Sequence, residues 1–244
     1  MPPELQLNLI PSTIFRISEK GLSMITVHHL NNSRSQRILW LLEELGLEYE
    51  IKEYQRDPKT SAAPESLKAI HPLGKSPVIT DGNLTIAESG AIIEYLLDSY
   101  DSENRLRPTT GQALLDYRYW LHFAEGSLMP LLVMKLVMMK MPKNPMPFFI
   151  KPIAKTLSQK IQDMFITPRL TPQIELIEKT LADNIWLTGN ELTGADIQMS
   201  FPIQASSNRM DLTAFPNIAR YLKQIEAIPA YQKAVERGGV FQTL

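Results

Sequence analysis

The sequence contains no cysteine among its 244 residues. This absence excludes a disulfide-stabilised scaffold, a thiolate metal site and an enzyme whose own cysteine is the nucleophile. Any thiol chemistry performed by this chain therefore needs a thiol supplied by a bound small molecule.

A basic excess and long apolar runs are also lacking. The formal net charge is −1, which argues against a nucleic-acid-binding protein. No uninterrupted apolar run approaches the roughly 18 residues of a membrane span, and residues 1–23 do not have the pattern of a secretory signal. We therefore predict a cytoplasmic protein with no stable membrane insertion and no nucleic-acid partner.

The four histidines do not predict a metal site. His28 and His29 are neighbours on a predicted strand, so their side chains point to opposite faces. His71 and His122 have no partner at ligand spacing. We expect no bound metal.

The N-terminal half predicts a small mixed sheet with helices. The opening β-α-β unit implies that its two strands are parallel, and Asp81-Gly82 is typical of a tight hairpin. The predicted order is β-α-β-(α)-β-β-α, a thioredoxin-like layout. The predicted strands are Ile25–Leu30, Tyr49–Tyr54, Ser76–Thr80 and Leu84–Ala87.

The C-terminal half predicts helices only. Pro130 is expected to kink the first of them, and the prolines between Met141 and Pro152 must interrupt it. The predicted helices are Ala113–Lys140, Ile153–Phe165, Pro172–Asn184, Gly194–Asn208 and Asn217–Ala227.

These patterns divide the chain into an extension (1–23), a thioredoxin-like domain (24–101), a linker (102–111) and an all-helical domain (112–244). Met24 precedes the first predicted strand, so we interpret it as the natural start and residues 1–23 as an upstream, disordered or non-native extension. The alternative is a short native arm on the surface.

Two hydroxyls, Ser33 and Ser35, follow the first strand where a helix begins. A free thiol has a pKa of about 8.5, and lowering it by two units requires about 2.7 kcal/mol. One hydrogen bond to a charged group contributes roughly 1.5–3 kcal/mol, and a helix N-terminus adds roughly 0.3–2 kcal/mol. One hydroxyl here would suffice to hold a thiolate, although plain N-capping explains the pair equally. Arg34 and Arg37 are either surface charges or keep the site electropositive.

The segment His71–Pro77 predicts a peptide-binding turn. Its Gly74-Lys75-Ser76 resembles the end of a phosphate loop but lacks the upstream glycine and the following helix. A proline that leads into a strand instead suits a cis bond. Ser76 would then offer its backbone to a peptide ligand and Lys75 would meet a carboxylate, unless the segment is an ordinary loop.

Glu88 and Ser89 lie where the last predicted strand meets a helix. The backbone N–H of Ser89 can bind a carboxylate, and Glu88 can receive an ammonium group. Together they would hold the zwitterionic head of an amino acid. Simple helix capping is the alternative.

In this order and spacing, the three segments resemble the glutathione-binding half of glutathione transferases. The matching pieces are H-H-L-N-N-S-R-S-Q-R, H-P-L-G-K-S-P-V-I and A-E-S-G-A-I-I-E-Y-L. The chain is similar to the theta/delta-like serine enzymes, in particular a bacterial and fungal branch, over about residues 24–240. The resemblance implies a thioredoxin-like N-terminal domain followed by an all-α domain.

The resemblance also implies a role for each matching residue. Ser33 corresponds to the thiol-activating serine, with Ser35 as the backup, and Lys75 to the contact with the glycine carboxylate of glutathione. Ser76 and Pro77 correspond to the residues that pair with the cysteinyl part, and Glu88 and Ser89 to those that hold the γ-glutamyl group. Gly90 departs from the arginine of delta-type enzymes, which weakens that part of the site.

Three features of the helical half bear on this interpretation. Thr193 and Asp196 form the family's capping box, which serves folding. Tyr117 and Trp120 are expected to face the electrophile pocket between the domains. The Met-rich stretch Met129–Met146, with Phe148 and Phe149, forms the acceptor region, packs in the core or at a dimer interface, or contacts a membrane loosely.

The predicted function is conjugation of the glutathione thiolate to apolar electrophiles by a homodimer. Glutathione is the co-substrate and no other cofactor is expected. The same thiolate would also reduce organic hydroperoxides. The alternative is a non-catalytic glutathione-binding or regulatory protein on the same fold.

Overall fold

A computed structural model describes residues 24–60 and 62–239. The predicted extension, residues 1–23, lies outside the described residues, and so does the question of whether Met24 is the natural start.

One four-stranded sheet forms the centre of the N-terminal domain. Its strands are β1 (Ile25–Leu30), β2 (Tyr49–Tyr54), β3 (Val78–Asp81) and β4 (Leu84–Ala87). The order across the sheet is β2-β1-β3-β4. β1 and β2 run parallel, with Ile25 opposite Tyr49, whereas β3 is antiparallel to both β1 and β4. The predicted thioredoxin-like sheet is confirmed.

Three helices complete this domain: α1 (Ser35–Leu45), α2 (Glu65–Lys68) and α3 (Ser89–Tyr100). α1 buries almost its whole apolar side against the sheet and the helical domain. Gly46 ends it with a φ of 66°, a left-handed conformation that glycine adopts without a Cβ penalty. The N-terminal end of α1 follows β1 closely in the chain, and the predicted site lies at this junction.

The rest of the described chain is helical, as predicted. Its α-helices are α4 (Gly111–Phe123), α5 (Met129–Lys140), α6 (Lys151–Ile161), α7 (Thr167–Asp183), α8 (Gly194–Ser207), α9 (Pro216–Glu226) and α10 (Pro229–Gly238). α10 was not predicted from the sequence. It packs against α1, so its apolar face is buried by the other domain.

Prolines widen two helices instead of ending them. A π-helical segment, Ala124–Leu128, joins α4 to α5 directly before Pro130, and a second, Gln162–Ile166, joins α6 to α7 before Pro168. A proline has no N–H to donate to the carbonyl four residues earlier, and a π turn accommodates the changed pairing. The prediction that a helix starts at Pro172 is therefore wrong, because α7 begins at Thr167 and Pro172 lies inside it.

The start of α8 ties the two domains together. A Cβ on Gly194 would approach Ile93 to 2.9 Å and Leu97 to 3.0 Å, so only glycine permits this close packing on α3. The predicted capping box is present: Asp196 accepts from the Thr193 backbone N–H at 3.0 Å and from its hydroxyl at 2.9 Å. Asp196 also accepts from the backbone N–H of Leu187 at 2.9 Å.

The helical domain leaves a broad apolar surface exposed. Phe148 is 85% exposed, and Phe149, Ile153, Val137 and Met164 are also exposed. The continuous helix Gly111–Lys143 is long and apolar enough, by length and composition alone, to cross a membrane, and 39% of its apolar window is buried in the fold.

Candidate functional site

A cavity of about 160 Å³ opens between the sheet edge, the start of α3 and the helical domain. It brings together five of the residues predicted to bind glutathione. Its lining comprises Arg34, His71, Leu73, Lys75, Ser76, Pro77, Ala87, Glu88, Ser89 and Glu125. The predicted turn His71–Pro77 and the pair Glu88 and Ser89, which are separate in sequence, thus line one cavity.

Neither Ser33 nor Ser35 belongs to this lining, but Ser33 donates a hydrogen bond to Ser76, which does. The Ser33 hydroxyl lies 3.2 Å from Oγ of Ser76 and 2.6 Å from Oγ of Ser35. Its oxygen accepts the backbone N–H of Ser35 at 3.3 Å. Ser33 is 6% exposed and Ser35 is 0% exposed. Of the two candidate hydroxyls, Ser33 is therefore the one that contacts a residue of the cavity lining.

Neither serine is the simple N-cap that the sequence also allowed. The N-cap residue of α1 is Arg34, and no side chain caps the helix. Instead, the Ser35 hydroxyl lies 2.9 Å from Nδ1 of His29 on β1. The two hydroxyls and the imidazole form a buried chain, which we call the hydroxyl chain (Ser33, Ser35 and His29).

The turn before β3 has the predicted form. The Ser76–Pro77 peptide bond is cis, Pro77 is buried, and Lys75 is exposed at the cavity. The Ser76 backbone is thus available to an extended ligand, because β3 begins only at Val78. Lys75 places a cation at the cavity.

Glu88 has an unusual backbone conformation. Its φ of 70° and ψ of 120° place it in a region that costs a non-glycine residue of order 1–3 kcal/mol. Such strain concentrates at functional sites. Ser89 is buried, and its hydroxyl accepts from Nη2 of Arg37 at 2.6 Å. Neither side chain caps α3, so helix capping alone does not explain this pair.

Arg37 is neither a surface charge nor a direct ligand contact. Its side chain is 1% exposed and pairs with Glu125, and it donates to the backbone carbonyl of Gln198 at 2.5 Å. Burial lowers the pKa of Arg37 to about 10, against the opposing effect of Glu125. The guanidinium therefore remains a cation at neutral pH, and it fixes the Ser89 side chain through its hydrogen bond to the Ser89 hydroxyl.

Glu125 is paired twice. Besides Arg37, it accepts from Nε of Arg34 at 3.0 Å. Burial raises the pKa of Glu125, but the two arginines outweigh this effect and hold it below its usual value. Arg34 and Glu125 both line the cavity. No sequence pattern pointed to Glu125, because it lies in the π segment, 88 residues after Arg37.

The expected electrophile residues do not lie at this cavity. Tyr117 is 0% exposed and donates its hydroxyl to Glu94 at 2.6 Å. Trp120 is buried in an aromatic cluster with Tyr119 and Phe123. Tyr117 and Trp120 are therefore not part of this cavity lining, although Tyr117 reaches α3 of the other domain through Glu94. Their place in an electrophile pocket between the domains stays a prediction.

The Met-rich stretch is divided between core and surface. Met129 and Leu132 are buried, whereas Met134 and Val137 are exposed. α5 begins about one turn after Glu125, which lines the cavity. Among the described residues, no group of three or more His, Cys, Asp or Glu side chains could hold a metal ion.

Both halves of the chain match known family models. Residues 22–98 match "Glutathione S-transferase, N-terminal domain", and residues 143–236 match "Glutathione S-transferase, C-terminal domain". The chain is 36% identical over 226 residues to "Glutathione S-transferase 1" of Saccharomyces cerevisiae, covering 89% of this chain and 96% of that one. This chain belongs to the glutathione S-transferase family.

Further relatives agree with this membership. "Glutathione S-transferase 3" of Schizosaccharomyces pombe is 35% identical and covers 88% of each chain. A solved glutathione S-transferase from Actinobacillus pleuropneumoniae is 42% identical, with a TM-score of 0.73 over 88% of this chain and 93% of that one. The predicted family, fold class and glutathione transferase function of the chain are therefore confirmed.

Proposed function

We propose that this glutathione transferase ionises the thiol of glutathione with Ser33 and transfers the sulfur to apolar electrophiles. The observation that carries this proposal is the position of Ser33: a nearly buried hydroxyl that hydrogen-bonds Ser76 at the edge of a cavity lined by Lys75, Glu88 and Ser89. This arrangement supports the proposal of a serine-type mechanism of the theta/delta-like kind. Ser35 is the backup.

The lining supports one orientation of the tripeptide. Lys75 suits the glycine carboxylate, the Ser76 backbone before Pro77 suits the cysteinyl peptide, and Glu88 with the N–H of Ser89 suits the γ-glutamyl head. The cysteinyl sulfur then lies beside Ser33. Holding thiolate and electrophile together supplies part of the rate by proximity. Glutathione serves as the co-substrate, and organic hydroperoxides are a second substrate class for the same thiolate.

The electrophile is proposed to approach over the start of α5. Glu125 lines the cavity, and the exposed apolar side chains of α5 begin within two turns of it. We also propose that the enzyme is a cytoplasmic homodimer, as is typical of the family. Exposed Leu115 and Tyr119 on α4 are candidates for burial between subunits, and the mass of the protein in solution tests this.

A turnover assay distinguishes the enzyme from a non-catalytic glutathione-binding protein. We expect conjugation of glutathione to an aryl halide to exceed the free-solution rate. Binding of glutathione alone would not separate the two functions. Absence of turnover with aryl halides, isothiocyanates and hydroperoxides would favour the binding protein.

Removing either charged contact with the tripeptide should weaken binding. A hydrogen bond to a charged group contributes about 1.5–3 kcal/mol, so Lys75→Ala and Glu88→Gln should each raise the glutathione Kd about 10- to 150-fold. Titration calorimetry measures this change. Lys59→Ala, which removes an exposed lysine outside the cavity lining, is the matched control. Equal affinity for Lys75→Ala and Lys59→Ala would contradict the proposed carboxylate contact.

A further inference from the structure

The exposed apolar surface of the helical domain lies in a strongly basic part of the chain. Between Glu125 and Glu175 the sequence has six lysines and one arginine but only one acidic residue, Asp163. This stretch therefore carries a net charge of +6, although the whole chain carries −1. We propose that the α5–α6 face, the exposed side chains of residues 133–165, binds reversibly to a membrane surface whose lipid headgroups are anionic. The inference does not depend on the proposed reaction, since the face is separate from the cavity lining.

Large apolar side chains of the α5–α6 face are exposed. Four of them are mostly exposed: Phe148 (85%), Met164 (77%), Ile153 (66%) and Phe149 (63%). The rings of Phe148 and Phe149 pack edge to face, with their centroids 5.6 Å apart, so they form one aromatic pair in the connection between α5 and α6. Contiguous exposed apolar patches mark sites that interact with a protein or a membrane.

The two helices present apolar side chains to one side. Ser158 of α6 donates to the backbone carbonyl of Met138 in α5 at 2.6 Å, and the segment that follows each helix contacts the other helix, so the pair is antiparallel. Val137 and Leu157, both exposed, each precede this contact by one residue. Because successive helical residues rotate by about 100°, such positions point to the same side of an antiparallel pair. Ile153 lies one turn before Leu157 and extends this side.

Lysines accompany these apolar side chains along the α5–α6 face. Lys135 is half-buried and the others are exposed: Lys140, Lys143, Lys151, Lys155 and Lys160. Long lysine side chains can reach lipid headgroups while neighbouring apolar side chains enter the boundary beneath them. Each basic residue near an anionic bilayer strengthens binding about five-fold. Apolar contact and charge therefore act together on an anionic membrane, whereas a neutral membrane offers the apolar contact alone.

Self-association and membrane crossing fit this face less well. A second copy of the chain would bring together two surfaces that each carry a net charge of +6, and juxtaposed like charges disfavour an interface. Crossing of a bilayer by the apolar helix Gly111–Lys143 is opposed by the fold, because Tyr117, Trp120 and Leu121 of this helix are buried in the core. We therefore infer that the face lies on the membrane surface and that no helix spans it.

Sedimentation with lipid vesicles tests the inference on the unaltered protein. Vesicles of phosphatidylcholine alone are compared with vesicles that contain about 30% phosphatidylserine. We expect binding to the anionic vesicles to exceed binding to the neutral ones at least about ten-fold, and to decrease as salt screens the charges. Equal binding to both compositions, or no binding to either, would overturn the inference and leave the proposed reaction intact.

Removing the aromatic pair tests the apolar part of the face. The double variant Phe148→Ser, Phe149→Ser should lower binding to the anionic vesicles about ten-fold for each ring. Ile185→Ser is the matched control, because it removes an exposed apolar side chain outside the face and should bind as the parent does. The unfolding temperature of each variant checks that it is folded. If the double variant bound vesicles as the parent does but lost a concentration-dependent increase in mass, the face would serve self-association and the inference would be wrong.

Removing two lysines tests the charge. The double variant Lys151→Gln, Lys155→Gln should lower binding to the anionic vesicles about five-fold for each lysine and should reduce the dependence on salt. The matched control is Lys223→Gln, Lys233→Gln, which removes two exposed lysines on α9 and α10 and changes the net charge equally. An equal loss of binding in both double variants would show that only the overall charge matters, and would overturn the assignment of the α5–α6 face.

Discussion

Ser33→Ala should lower turnover about 10- to 150-fold at neutral pH, because one hydrogen bond to a charged group contributes about 1.5–3 kcal/mol. Without the hydroxyl, the pKa of the bound thiol rises by about one to two units, and less thiolate is present. Glutathione affinity should change little, because the proposed contacts of Lys75, Glu88 and Ser89 remain. The measurement is kcat and the glutathione Kd of the variant.

The pH profile sharpens this prediction. In the parent enzyme, activity should rise with pH through the lowered pKa of the bound thiol. In Ser33→Ala the rise should move to higher pH, toward the free thiol value of about 8.5. The difference between the two enzymes therefore shrinks in alkali. A variant that is inactive at every pH would indicate a lost structure instead of a lost hydrogen bond.

Two further serine variants complete the experiment. Ser206→Ala is the control, since Ser206 is a buried serine whose hydroxyl donates to the backbone carbonyl of Ile203 in α8. Ser35→Ala tests whether Ser35, the second candidate, contacts the sulfur instead of Ser33. A larger loss of thiolate in Ser35→Ala than in Ser33→Ala would transfer the contact with sulfur to Ser35. Unchanged rates in both would end the serine mechanism.

Local patterns were sufficient to predict most of the fold. Alternation of β-forming residues predicted β1 and β2, Asp81-Gly82 predicted the hairpin between β3 and β4, and the serine-rich turn predicted the start of α1. These signals lie within a few residues of the structures that they specify. The cavity lining was predictable for the same reason, because Lys75, Ser76 and Ser89 stand at the ends of strands in one sheet.

Contacts between distant segments were not predictable in this way. From sequence, Arg37 was either a surface charge or a source of positive charge at the site. Its partner Glu125 lies 88 residues away in a π segment. Helical spacing does not tell which neighbour a helix face meets, so it could not show that Tyr117 on α4 contacts Glu94 on α3. His29 was correctly placed opposite to His28 by strand alternation, yet only the fold brings it to Ser35.

The second large effect is expected at Arg37, which joins the two domains behind the site. Its guanidinium contacts Ser89 of α3, the carbonyl of Gln198 in α8 and the carboxylate of Glu125. Breaking a buried ion pair by removing one partner costs about 3–5 kcal/mol. Arg37→Met should therefore lower the free energy of unfolding by about that amount, measured by urea denaturation.

Arg37→Met should also weaken glutathione binding, because Ser89 loses the donor that fixes its side chain. Arg105→Met is the matched control: Arg105 donates to a backbone carbonyl from an exposed position, and exposed charges typically contribute about 0–1 kcal/mol. An unfolding free energy equal to that of the control would contradict the buried role of Arg37.

A double variant then separates the charge from the packing. Adding Glu125→Gln to Arg37→Met removes the half-buried carboxylate that the first change leaves paired with only Arg34, so part of the lost stability should return. Arg37→Lys keeps a cation but lacks the planar fork that reaches Ser89 and Gln198 together. We therefore expect it to retain more stability than Arg37→Met but to bind glutathione less tightly than the parent enzyme. If Arg37→Lys bound glutathione as the parent does, a positive charge alone would suffice, and the fork would not position Ser89.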